Sequence, residues 1–575
     1  MASLTLDSQQ MGLQRRILWL AVVLATIGLV LVGRLVWWQL LPHPDLEAQV
    51  PLDMERPNII QPARGNILDA NGQYLVASTV EYTIGVSPRL LEDDDRAKLA
   101  PILASILNQP QEKVLEALSQ KGTEYVPLAK DLPASVGKQL EALQQDDSLK
   151  MDAFRIEPSF RRVYPDGGLA AHILGFVDLD GRGQYGLEQY YDRRLRGTEG
   201  TWRGITDSWG QQILATLSGY RPAQDGVDLV LTVDRNIQYM AEKILREGME
   251  ANAAAAGSLV VVNPRTGAVL AIANAPTYNP GDYGHADSAD CYINQAVTSL
   301  YEPGSVLKVL TLATALQDRV ILPTDTYDDR GEIIIGTQKI MNSDQQAHGR
   351  TTMTELLAYS RNVGAAYVAS LLGPARFYEG MRRFGLGEVT GIDLALEQKG
   401  IMRVPNDLSW SLSDLGTNSY GQGIALTPLQ VVMAYAAIAN DGVLMRPYVV
   451  SEIHDGDSVE VKEPFPVRRV LSEEVARQMS DMMVNAVELG MQKAMVPGYR
   501  MAGKSGTAGI PDAKGYKNRY VIASFVGFGP VPNPRFVVLV KYDKPREGYW
   551  GEEVAAPAFS RMMKFLFDYY GVSPS

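Results

Sequence analysis

The chain is short of cysteine and histidine. Its one cysteine, Cys291, permits no internal disulfide, so stability rests on burial and not on cross-links. The five histidines (His43, His172, His285, His348, His454) are scattered, with no His-x-x-x-His or Cys/His spacing, which speaks against a metal site. Positive charge is in deficit: 54 Lys+Arg against 66 Asp+Glu give a formal net charge of −12. Nucleic-acid binding depends on clustered cations, so nucleic acid is not expected as a partner. Fixed-period repeats and low-complexity linkers are also missing. With 46% hydrophobic and 21% charged residues, the chain is neither fibrous nor largely disordered. At 575 residues it exceeds a single core and predicts about two to four domains.

One long hydrophobic run is present. Residues 17–33, ILWLAVVLATIGLVLVG, carry no charge; Arg34 interrupts, and residues 35–41 resume as LVWWQLL. A helix needs about 20 apolar residues to cross the hydrocarbon core. Residues 17–40 suffice if Arg34 snorkels to the headgroups and Trp37 and Trp38 lie in the interfacial belt. Arg15 and Arg16 precede the run, so residues 1–16 are expected in the cytoplasm and the remainder outside the cell membrane. A cleaved leader would need a small-x-small site where Arg34 and two tryptophans stand, so the anchor reads as uncleaved and single-pass.

Beyond the anchor, residues 64–72 (RGNILDANG) end in Asn-Gly and precede YLVAS, which predicts a strand pair joined by a tight turn. Residues 91–145 carry helical spacing, broken by Gly122, Pro127 and Pro133. Residues 161–200, rich in Gly, Tyr and Arg, read as loop and short strand. A fresh start near Gly226 gives a strand, a helix at NIQYMAEKILREGMEAN, and two strands around Pro-Arg-Thr-Gly. The central part is mostly helical. Strands return at YVIASFVGF and RFVVLVKY, and a last helix closes the chain. Sheet at both ends with helices between predicts an α/β or α+β domain whose first and last segments share one sheet.

Three short elements in this second half carry chemistry. In Glu302-Pro303-Gly304-Ser305-Val306-Leu307-Lys308, Pro-Gly before an apolar run marks a helix start. Lys308, three residues on, lies on the face of Ser305 and can reach its hydroxyl. A serine needs a base to become a nucleophile, and lysine is one only when neutral. Burial beside a helix N-terminus disfavours the cation. Alone, S-x-x-K is more often an exposed helix turn. Tyr359-Ser360-Arg361-Asn362 offers a hydroxyl and a carboxamide two positions apart: Ser360 to relay a proton, Asn362 to hold the lysine and the substrate amide. Alone it is more often a helix end or turn. Gly503-Lys504-Ser505-Gly506-Thr507 could be an edge strand, with a cation at Lys504, hydroxyls at Ser505 and Thr507, and room at Gly506 for a bound chain. A phosphate loop would need an upstream Gly frame that is lacking. S-x-x-K, then S-x-N, then K-[ST]-G is the order found in penicillin-binding proteins and β-lactamases.

On these motifs the chain resembles the class B penicillin-binding proteins, monofunctional peptidoglycan D,D-transpeptidases. The resemblance extends to residues 64–72, to GLEQYYDRRLRG (residues 186–197), to YGQGIALTPLQ (residues 420–430) and to ASFVGFGPVPNPRF (residues 523–536). Ala70 stands where the family usually has a basic residue, and Ser505 replaces the commoner threonine. The resemblance implies a β-lactamase-like transpeptidase domain at residues 224–575. It also implies an elongated α+β pedestal of the dimerisation type at residues 41–223, with a helical subdomain near 91–150. Ser305 would be the nucleophile, Lys308 the general base, Ser360 the relay and Asn362 a positioning group. Lys504, Ser505, Gly506 and Thr507 would bind substrate, and the backbone N–H groups of Ser305 and Thr507 would form the oxyanion hole. No cofactor or metal is implied. The implied partners are stem peptides ending in D-Ala-D-Ala, β-lactams and a polytopic SEDS-type glycosyltransferase of elongation or division. A D,D-carboxypeptidase, a β-lactamase and a non-catalytic β-lactam-binding sensor or scaffold are the competing readings.

Overall fold

The computed structural model describes residues 4–40, 58–120, 122–146, 148–203, 218–510 and 520–574. The chain forms two compact units, Met1–Ile60 with Glu199–Pro222, and Gln61–Thr198 with Ala223–Ser575.

In the first unit, Leu4–Leu40 is one continuous helix. Its Ile17–Trp37 stretch has a mean hydropathy of 2.3 and is long and apolar enough to cross a membrane. Leu18, Trp19, Leu29 and Val30 are all exposed, as expected of a helix apolar on every side that meets lipid and not a protein core. The side chains of Arg15, Arg16 and Trp38 lie outside the described residues, as do residues 41–57, where the pedestal was expected to begin. The unit also holds an antiparallel sheet of Asn58–Ile60, Gly200–Arg203 and Ser218–Arg221.

The second unit is built on two sheets. One is five-stranded and antiparallel, ordered Val269–Ala275, Ala256–Val262, Phe536–Asp543, Val521–Gly529, Ala502–Gly509. The strands at residues 256–275 and the late strands therefore share one sheet as expected, while the domain's first strand, Asp228–Leu231, lies in the other. Near-continuous apolar runs such as FVVLV are buried on both faces. Helices Arg235–Asn252 and Ala556–Tyr569 pack on the sheet and on each other, and the wholly buried helix Pro428–Ala439 packs on it too. The Ala502–Gly509 strand lies at the edge, as expected of the lysine motif it carries.

The other sheet mixes both halves of the sequence. Asp228–Leu231 pairs in parallel with Ile67–Leu68 and antiparallel with Val450–Asp455. Ile67–Leu68 then pairs with Tyr74–Val86 around Gly72, the predicted tight turn. Tyr74–Val86 pairs with both Val126–Pro133 and Phe154–Val163. Three helices, Asp93–Leu107, Gln111–Leu118 and Ala134–Gln144, bury Leu99, Leu103, Val114 and Leu140 in a core of their own. The Val126–Pro133 strand departs from the sequence expectation, which treated its prolines as breaks. Proline is tolerated on an edge strand, where one side of the backbone needs no ladder partner, and this strand ends its sheet.

Residues 186–196 also differ: they form two short helices, Gly186–Tyr190 and Asp192–Arg196, instead of loop. Short helices rely on tertiary contacts, and these carry Glu188 into a buried ionic cluster. Glu188 Oε2 accepts from Arg64 Nε at 2.7 Å, and its Oε1 accepts from Arg162 Nε at 2.8 Å. Arg64 also reaches Asp192 at 2.9 Å. Removing one member of such a cluster strands the others without counter-charge. Glu188→Gln is expected to cost about 3–5 kcal/mol, read as a lower denaturant midpoint. An unchanged midpoint would show that water reaches the cluster freely.

Candidate active site

The three sequence motifs meet in one cleft of about 440 Å³, whose walls include Ser305, Ser360, Asn362, Ser505 and Thr507. Ser305 sits in the single 3-10 turn Gly304–Val306, which runs directly into helix Leu307–Gln317. Pro-Gly thus starts the helix one tight turn earlier than a plain α-helix start. Tyr435 Oη, fully buried, donates to Val306 O at 2.6 Å and pins the turn from within.

Lys308 occupies the first turn of that helix and is 0% exposed. Its Nζ stands 2.6 Å from Ser360 O, 2.8 Å from Asn362 Oδ1 and 3.1 Å from Ser360 Oγ. Burial holds its pKa well below the ordinary lysine value, and the charges of Lys504 and Arg361 add to that effect. A neutral amine has two N–H donors and one lone pair. All three oxygens accept from the ammonium form; the neutral form gives up one of these bonds and frees its lone pair to take a proton. The lysine, the hydroxyl and the carboxamide are therefore joined in one chain of hydrogen bonds.

Ser360 reaches that position through its backbone. It lies between helices Met353–Ala358 and Asn362–Arg383 with φ 57°, a left-handed conformation that costs about 1–3 kcal/mol in a residue with a side chain. The turn aims both its carbonyl and its hydroxyl at Lys308. The next segment clamps it: Asn362 Nδ2 donates to Met341 O at 3.0 Å, and Val363 N donates to Asn342 Oδ1 at 3.1 Å. Arg361 pairs with Asp344 and donates from Nη2 to His348 Nδ1 at 3.3 Å. Because that nitrogen accepts, His348 Nε2 carries the proton and donates to Asp344 at 2.9 Å.

On the facing strand, Lys504 is fully buried and donates from Nζ to Ser505 O at 3.1 Å and Ser505 Oγ at 3.2 Å. Burial lowers its pKa to about 7, while the carboxylate of Glu552 favours its charged form. Ser505 and Thr507 face the cleft, and Lys504 lies behind them. Ser505 N–H donates outward to Met491 Sδ at 3.4 Å, so two residues on, at the same parity, Thr507 N–H also points away from the neighbouring strand. That outward edge meets the Gly304–Val306 turn that carries Ser305. A Cβ on Gly304 would stand 3.3 Å from Thr507 O. A Cβ on Gly506 would stand 2.5 Å from Ser524 Oγ and 2.9 Å from Pro303 O. Gly506 was expected to make room for a bound chain; its nearest constraints are the Ser524 hydroxyl of the paired strand and then the carbonyl of Pro303 before the Ser305 turn.

Several cleft residues escaped the sequence reading: Asp344, Tyr420, Gln422, Trp550 and Glu552 also line the wall. Tyr420 and Gln422 fell within the YGQG segment that the resemblance included without a role. Trp550 and Glu552 belong to an irregular stretch with no periodicity to single them out. Among the described residues, no cluster of His, Cys, Asp and Glu could hold a metal ion.

A fold with one sheet between helices, a buried lysine beside a serine, and a hydroxyl-bearing edge strand define an acyl-serine transferase or hydrolase. The model of the penicillin-binding protein transpeptidase domain matches residues 257–564, and that of the penicillin-binding protein dimerisation domain matches residues 59–231. The chain belongs to the penicillin-binding protein transpeptidase family. It is 32% identical to stage V sporulation protein D of Bacillus subtilis, over 98% of this chain and 86% of that protein. It is 30% identical to peptidoglycan D,D-transpeptidase FtsI of Escherichia coli, over 95% of this chain and 90% of that protein. The crystal structure of penicillin-binding protein 3 from Mycobacterium tuberculosis in complex with aztreonam superposes with a TM-score of 0.69 at 26% identity, covering 90% of this chain and 98% of that chain.

Proposed function

We propose that the protein is a peptidoglycan D,D-transpeptidase that cross-links stem peptides through an acyl-enzyme on Ser305. The observation that carries this reading is the hydrogen-bonded group of Lys308, Ser360 and Asn362 on one wall of a cleft that also holds Ser305 and the Ser505–Thr507 edge. Ser305 Oγ attacks the carbonyl of the penultimate D-Ala, and neutral Lys308 takes its proton. Ser360 relays that proton to the leaving D-Ala amine, while Asn362 holds the lysine and the substrate amide. The backbone N–H groups of Ser305 and Thr507 stabilise the oxyanion, which suits their outward edge. The Ser505 and Thr507 hydroxyls receive the terminal carboxylate, with the charge of Lys504 behind them and Gly506 keeping the strand close. An amine from a second stem peptide resolves the ester. β-Lactams acylate the same serine.

We further read residues 1–16 as cytoplasmic, 17–40 as the membrane span, 41–223 as the pedestal and 224–575 as the outward-facing catalytic domain. The anchor and pedestal would engage a SEDS-type glycosyltransferase; the separate helical core of residues 93–144 favours a partner surface over a plain spacer. The test is to incubate the full chain with a D-Ala-D-Ala-ended stem peptide and an amine-bearing stem, and to map a penicillin adduct by mass spectrometry. Cross-linked product and an adduct on Ser305 are expected. Released D-Ala without cross-link would mean a carboxypeptidase, and a short-lived adduct a β-lactamase. A stable adduct with no turnover would mean a sensor.

A further inference from the structure

The catalytic groups above account for the donor stem, yet the cleft holds a carboxylate that they leave unused. We propose that Glu552 serves the acceptor: its carboxylate pairs with the incoming ammonium group and takes one proton from it, so that a neutral amine attacks the acyl carbon on Ser305. This rests on the acyl-enzyme reading and extends it to the second half of the reaction.

Glu552 lines the same cleft as Ser305, Ser505 and Thr507, a volume suited to one small ligand. Its backbone is fixed to the substrate-binding strand. Gly551 N donates to Thr507 Oγ1 at 2.9 Å. A Cβ on Gly551 would stand 2.2 Å from Gly506 O and 2.4 Å from Ser524 O, so the Gly551–Val554 turn is pressed onto that strand as closely as glycine allows. Among the described residues, no hydrogen bond or ion pair engages the Glu552 carboxylate. The charges that act on it are Lys493, Lys504 and, on its own turn, Glu553. Across the cleft Arg361 and Asp344 are occupied with each other.

The sign of the charge assigns the role. A donor stem arrives as a carboxylate, which Glu552 repels directly; its help to the first step runs only through Lys504, whose charged form it favours. Once the terminal D-Ala has left, the entering group is a cation that Glu552 attracts. An ammonium ion has no lone pair and cannot attack an ester until it loses a proton. Burial raises the carboxyl's affinity for that proton, against the pull of Lys493 and Lys504. The protons then balance. R–NH3+ and Glu552 carboxylate give R–NH2 and Glu552 carboxylic acid. The N–C bond forms as the bond from the acyl carbon to Ser305 Oγ breaks. A second amine proton passes through Ser360 and Lys308 to Ser305 Oγ, the third stays on the new amide, and Glu552 releases its proton to water as product departs.

The test compares Glu552→Gln with the parent full chain, normalising transfer to the rate of penicillin acylation of the same preparation. Two acceptors are used: an amine-bearing stem peptide, and hydroxylamine, which is uncharged at neutral pH. Stem transfer is expected to fall at least about tenfold and hydroxylamine transfer less than about twofold. The pH profile of stem transfer, normalised to acylation, is expected to lose the part of its acidic limb that Glu552 sets and keep the part that Lys308 sets, Glu552→Asp to recover part of the loss, and the exposed Glu553→Gln to behave as parent. Equal losses with both acceptors, no loss, or a loss that merely follows slower acylation would each overturn the proposal; the last would make Glu552 a regulator of Lys504. If penicillin does not acylate Ser305 in the parent chain, the acyl-enzyme reading itself fails instead.

Discussion

Ser305→Ala protein is expected to take up no fluorescent penicillin and to release no D-Ala from a donor stem, while melting as the parent does. Ser305 is half-buried at the cleft wall, and its turn is held by backbone contacts and by Tyr435 rather than by its own hydroxyl. Deleting that oxygen therefore leaves the fold intact and removes the only atom assigned to bond the acyl group. Where a nucleophile acts as a unit with its base, its loss costs about as much as losing the whole set, here at least about 10⁴-fold. Covalent labelling that persists in this variant would reject the serine assignment.

Lys308→Met tests the base. Methionine matches the length of the lysine stem and belongs in a fully buried site, but it can neither take nor give a proton. Acylation by penicillin is expected to slow by about 10²–10⁴-fold, the usual share of general-base catalysis. The pH dependence carries a sign. Lys308 works only when neutral, and burial with the nearby cations of Lys504 and Arg361 lowers its pKa. Acylation by the parent should thus persist at pH values where an ordinary lysine is fully protonated, and fall only as pH drops through the depressed value. Above about pH 7 Lys504 loses its own charge, which weakens capture of a donor carboxylate. A stopped-flow pH series on parent and variant checks both limbs. A parent profile that rises only in the ordinary lysine range would show that the Lys308 pKa is not depressed, and a profile and rate unchanged in Lys308→Met would show that it is not the base.

The catalytic half was more legible in the sequence than the amino-terminal half. Ser305, Lys308, Ser360 and Asn362 stood out because a helix start fixes the serine–lysine spacing and because the three motifs occur in a set order. The Lys504–Thr507 stretch was read as a possible edge strand, and it does end its sheet. What escaped has physical reasons. The Val126–Pro133 strand carries two prolines, and only the position of its neighbours makes it an edge. The helices at residues 186–196 are too short to show periodicity and exist because Glu188 is claimed by two arginines. Glu552 and Trp550 lie on a turn whose importance comes from what it touches, which no local pattern encodes. The left-handed backbone of Ser360 could not be read from a Tyr-Ser-Arg-Asn string at all.

The Asp228–Leu231 strand, bonded on one side to Ile67–Leu68 and on the other to Val450–Asp455, stitches remote parts of the gene into a single ladder. Cutting the chain between the two halves would leave an unpaired strand edge on each piece, so the serine-bearing region gains from keeping its amino-terminal portion attached.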